Sequence, residues 1–136
     1  RGLLPRAWMQ LPTFQAVDQQ WAYRSPGAFP FTGKAAIDGS ATDTVNRLWA
    51  RAGSAVAVPT ASSANSEYAV ICHGMLYCTY PFNDPSSEGS EVYAVVVALR
   101  NCLPPVVLAS DCANVVRDFH SGAAFCTRHE HPHCHV

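Results

Sequence analysis

Three carboxylates carry the chemistry this sequence could perform: Asp38, Glu91 and Asp111. Asp38 follows a strand-like run over residues 34–37 and precedes Gly39-Ser40. Glu91 opens a run with helical spacing, and Asp111 follows the apolar run of residues 106–110. Three acids held close together repel and raise one another's pKa. A divalent cation removes that conflict, and an oxygen-only ligand set suits Mg²⁺ or Mn²⁺. Two such ions ~3.5–4 Å apart can activate a water and stabilise the leaving oxygen of a phosphodiester. Each acid also has an ordinary explanation when taken singly. Asp-Gly is a common turn pair, a glutamate complements a helix N-terminus, and an aspartate caps one.

The elements needed to bring these acids together are legible in the periodicity. Residues 34–38 read as a strand ending on Asp38, with Gly39 permitting a sharp change of direction. Residues 49–58 alternate and are closed by Pro59, and residues 67–77 form a third strand with a bulge at Gly74. Short or moderate loops join these three, which suits an antiparallel meander. The period then changes. Ser86, Ser87 and Ser90 offer capping chemistry, and Val92, Val95, Val96 and Leu99 define a helix from Glu91 to about Asn101, stopped by Pro104-Pro105. Residues 106–110 have the wholly apolar character of a buried parallel strand. A second helix is expected over residues 113–121, with Val115, Val116 and Phe119 inward and Gly122 as its stop. The order β-β-β-α-β-α describes an α/β domain with a mixed sheet and helices packed on it. Asp38 and Asp111 then fall at the ends of neighbouring strands, where ligands bind in such sheets.

These segments resemble the ribonuclease H family, most closely its divergent members in retroelement polyproteins associated with reverse transcriptase. The resemblance rests on Ile37-Asp38-Gly39-Ser40, on Gly89-Ser90-Glu91-Val92-Tyr93-Ala94 with Ala98-Leu99, and on Leu108-Ala109-Ser110-Asp111-Cys112-Ala113. It covers roughly residues 34–121. The acid order separates the chain from relatives on the same fold. Integrases place the glutamate last, and proofreading-type exonucleases carry a glutamate where Ser40 stands. The resemblance implies a ribonuclease H-like domain over residues 34–136 that cleaves the RNA strand of RNA/DNA hybrids. Asp38, Glu91 and Asp111 would be its catalytic and metal-ligating residues, holding two Mg²⁺ or Mn²⁺ ions. Gly39 and Ser40 would lie beside the scissile strand, with recognition through the 2′-hydroxyls of the minor groove. A fourth acid of the family, near its last strand and helix, has no counterpart before Val136.

Composition sets the limits on this reading. With 49 % apolar and 14 % charged residues, the chain has the balance of a folded domain. Its net charge of −1, with Lys34 the only lysine, gives no broad basic field for a nucleic acid. Flanking domains of a longer polyprotein are therefore expected to share in binding. An inactive scaffold of the same fold is the first alternative. No secretory address and no membrane-length apolar run is present, so an intracellular location and reduced, mostly buried cysteines are expected. Residues 1–33 read as an extended lead-in rich in proline and aromatics, with one short helix near Phe14 to Trp21. Asp43, Glu67, Asp84, Glu88, Asp118 and Glu130 read as solvated surface charges. The tail carries Cys126, His129, His131, His133, Cys134 and His135. That composition suits zinc, although its spacing matches no finger pattern. A zinc-stabilised interaction domain is the second alternative.

Overall fold

The computed structural model describes residues 20–24, 28–42, 50–59, 72–82, 85–126 and 128. Five strands form one sheet: β1 (Gln20–Arg24), β2 (Phe31–Thr42), β3 (Arg51–Pro59), β4 (Cys72–Thr79) and β5 (Cys102–Ala109). Their order across the sheet is β1-β4-β3-β2-β5. All pairs are antiparallel except β2 with β5, which run parallel. Alternation decides which face is covered, broken in β2 at Gly33, which is exposed. Phe31, Ala35, Ile37 and Gly39 of β2 are buried, as are Ala52, Ser54, Val56 and Val58 of β3 and Gly74, Leu76 and Cys78 of β4.

Helix α1 (Ser87–Arg100) is the crossover between β4 and β5, and it lies on this buried face. Ser86 caps it by accepting from the Gly89 amide at 3.0 Å. Asn101 closes it, with its amide donating to Ala98 O and its Nδ2 to Val97 O at 2.8 Å. Tyr93, Ala94, Val97 and Ala98 pack with Ile37, Val56 and Leu76 in one core. Helices α2 (Ala113–Ser121) and α3 (Ala123–Cys126) follow β5. Gly122, with φ of +81°, ends α2 as expected from sequence. No helix among the described residues is long and apolar enough to cross a membrane.

The order of elements from β2 to α2 matches the sequence reading, and the differences have physical causes. β1 was not anticipated. Gln20 and Trp21 are extended rather than helical because they pair with β4, while residues 14–19 of the expected helix lie outside the described residues. β2 starts at Phe31 and continues past Asp38 to Thr42, because β3 stays paired with it as far as Arg51. β4 begins at Cys72, and residues 67–71 lie outside the described residues. The register shift falls between Val58 and Pro59, where His73 is the extra residue beside Gly74.

Four further expectations are corrected at β5 and the helices. Glu91 does not open α1, since capping by Ser86 starts the helix earlier and places Glu91 in its second turn. Pro104-Pro105 does not stop the helix, which ends at Arg100; both prolines lie within β5. An edge strand tolerates them, and the register with β2 skips from Cys102 to Val106 while β2 advances from Phe31 to Gly33. β5 is accordingly half exposed rather than buried, with Val107 62 % accessible. In α2 only Val115 and Asp118 are buried, whereas Val116 and Phe119 are exposed. An apolar cleft of about 370 Å³ between α1, β5 and α2 lies beside them, lined in part by Leu99, Val106 and Val115. Among the described cysteines, Cys78 is buried, while Cys72, Cys102 and Cys112 are half-buried.

The core assignment is testable. Leu76 is fully buried, so Leu76→Ala should lower unfolding free energy by about 3 kcal/mol in urea titration. Val107→Ala at the exposed edge should change it by no more than about 0.5 kcal/mol.

Candidate metal centre

The parallel register of β2 and β5 brings two of the acids together. Ala36 pairs with Ala109, and Asp38 and Asp111 each come two residues later. β2 continues along β3, with Asp38 opposite Ala55, while the chain leaves β5 after Ala109 and turns into α2. Ser110 shapes that turn, its hydroxyl accepting from the Cys112 amide at 3.0 Å. The strands part there, and both aspartates are exposed. This is the carboxyl end of the two parallel strands, the usual ligand crevice of such sheets.

Glu91 arrives from above, on α1. The helix backbone can descend onto β2 because position 39 has no side chain. A methyl group on Gly39 would overlap the Glu91 amide nitrogen and lie 2.5 Å from the Ser90 carbonyl carbon. The Gly39 backbone in turn donates a hydrogen bond to the Glu91 carboxylate. Around this contact lie four serines. Ser54 Oγ donates to Ser90 O at 2.6 Å, and Ser90 Oγ bonds Ser87 O at 2.7 Å and Ser40 O at 3.3 Å.

One carboxylate oxygen from each of Asp38, Glu91 and Asp111 lies within 4.8 Å of the other two. Glu91 is 6 % exposed, and its Oε2 is buried with no hydrogen-bond partner. Burial raises its pKa above the ordinary 4.5; the Gly39 hydrogen bond opposes the rise, and the nearby charges of Asp38 and Asp111 add to it. A buried polar oxygen without a partner costs about 1–3 kcal/mol, and a cation shared by the three acids would remove that cost. The donor set is oxygen only, which fits Mg²⁺ or Mn²⁺. Its two exposed members leave the site open to water.

Other residues named from sequence lie elsewhere. Ser40 is exposed beside Asp38, while Gly39 is buried beneath Glu91. Asp118 is buried, not solvated as expected, and pairs with Arg117 at 3.1 Å. Asp43, Glu67, Asp84 and Glu130 lie outside the described residues, as do His129, His131, His133, Cys134 and His135 of the candidate zinc set. Cys126 closes α3, and its side chain also lies outside them. Ser54 was not singled out from sequence, and Ser90 was read only as a capping residue. The available signal was a serine at position 54 in the inward register of an otherwise apolar strand.

The sign of the Glu91 shift gives a prediction. The folded chain binds this proton more tightly than the unfolded chain, so protonation favours folding. The resulting stability is fully present below about pH 4.5 and is lost as pH rises through the raised folded value. Glu91→Gln should therefore raise the metal-free unfolding midpoint at neutral pH. Mn²⁺ should raise the midpoint of the wild type and leave that of the variant nearly unchanged, as read by thermal denaturation. A wild type indifferent to Mn²⁺ would count against the site.

No family model, curated protein or solved structure matches this chain.

Proposed function

We propose that this chain is a ribonuclease H-type endonuclease domain that hydrolyses the RNA strand of RNA/DNA hybrids at Asp38, Glu91 and Asp111. The observation that carries the reading is the convergence of the three acids, one of which, Glu91, has a buried oxygen without a hydrogen-bond partner. The order of the acids along the chain and the motifs around them support the family. So does a mixed sheet in which the acids come from two parallel strands and the crossover helix.

Each residue has a distinct part. Glu91, fixed from below by Gly39, is the rigid ligand, whereas Asp38 and Asp111 are the solvent-side ligands that face the substrate. Together Asp38, Glu91 and Asp111 would hold two divalent ions, whose chemistry would be to activate a water and stabilise the leaving oxygen. Ser40, exposed next to Asp38, is placed to meet the sugar–phosphate strand, where a 2′-hydroxyl distinguishes RNA from DNA. A net charge of −1 leaves much of the grip on a polyanion to flanking domains. That same charge favours the rival reading, a ribonuclease H-like scaffold that binds metal without turnover.

The test is incubation with end-labelled RNA/DNA hybrid in Mg²⁺ or Mn²⁺, alone and with flanking sequence attached. Cleavage confined to the RNA strand, and abolished by Asp38→Asn, Glu91→Gln and Asp111→Asn, is the expected result. Metal binding without cleavage in either form would favour the scaffold. Absence of both would remove the proposal.

A further inference from the structure

We infer that Ser54 of β3 is a positioning residue for the carboxylate site, its buried hydroxyl fixing the peptide from which Glu91 projects. This rests on the metal-site reading above. Ser54 is 3 % exposed and occupies the inward register between Ala52 and Val56. A buried hydroxyl must find an acceptor, and a local backbone carbonyl would serve for stability alone. Ser54 instead donates across the sheet–helix interface to Ser90 O at 2.6 Å. That carbonyl belongs to the Ser90–Glu91 peptide.

The placement has a reason in the register. Ser54 is the cross-strand partner of Gly39, and Gly39 donates its own hydrogen bond to the Glu91 carboxylate. One member of this pair therefore holds Glu91 by its carboxylate and the other by its main chain. Ser90 completes the clamp, its hydroxyl reaching Ser40 O on β2 at 3.3 Å. Together these contacts set the height of the second turn of α1 above the sheet, and with it the reach of Glu91 towards Asp38 and Asp111. Groups that orient a metal ligand typically alter affinity tenfold to a hundredfold when removed.

The test is calorimetric titration of Mn²⁺ into the whole chain. Ser54→Ala should weaken binding about tenfold. Asn101→Ala is the control, since it breaks a hydrogen bond at the far end of the same helix; it should lower stability while leaving Mn²⁺ affinity unchanged. If Ser54→Ala does not fold, Ser54→Cys keeps the volume, weakens the donor and should show a smaller loss of affinity in the same direction. Wild-type affinity in the Ser54 variants would overturn the inference and leave the site reading standing. Equal losses in Ser54→Ala and Asn101→Ala would also overturn it, because general loosening of the helix would then suffice. A wild type that binds no Mn²⁺ would remove the site reading, and this inference with it.

Discussion

The contact between α1 and β2 at Gly39 is the constraint on which the rest of the site depends. Helices normally pack on sheets through side chains, which hold the backbones well apart. Here the peptide preceding Glu91 rests directly on β2, and no side chain could stand between them. This lets a buried helical glutamate reach the level of Asp38 within β2 and of Asp111 just beyond β5. The surrounding serines satisfy the polar groups that such close approach buries. A larger residue at position 39 would lift α1, and Glu91 would withdraw from its partners.

The same arrangement stores an electrostatic conflict. Glu91 is buried beside two like charges, and one of its oxygens has no hydrogen-bond partner. A fold selected for stability alone would replace it by an apolar or neutral residue. Local violations of packing and polarity rules are expected where function demands them, with the surrounding structure supplying the compensation. That compensation is visible in the core below, where Ile37, Val56, Leu76, Tyr93 and Val97 join β2, β3, β4 and α1. Asp38 and Glu91 therefore sit on β2 and α1, while Asp111 lies in the short turn between β5 and α2.

Much of this framework was legible in the sequence. Alternation located β2, β3 and β4, the change of period located α1, and the apolar run before Asp111 located β5. What alternation could not reveal was anything decided by a distant partner. β1 exists because β4 offers it an edge, and β2 outlasts Asp38 because β3 remains alongside. The prolines of β5 mark a helix stop in a local reading, yet the sheet edge accepts them. Phe119 looks inward by helical spacing, but at 73 % exposure it lies at the rim of an apolar cleft. The grouping of the three acids was legible because each lies where an element begins or ends in the one-dimensional reading. The contribution of Ser54 was not, because its partner Ser90 lies on another element and only the register of Gly39 explains the pairing.

We propose that Asp38, Glu91 and Asp111 form a centre for divalent cations. Electron paramagnetic resonance of Mn²⁺ titrated into the chain tests it directly, because protein-bound ions lose the sharp signal of the free aqua ion. With such a centre the free-ion signal should stay suppressed until up to two ions per chain have been added, and Asp38→Asn should abolish the suppression. A free-ion signal that grows from the first addition, equally in wild type and variant, would contradict it.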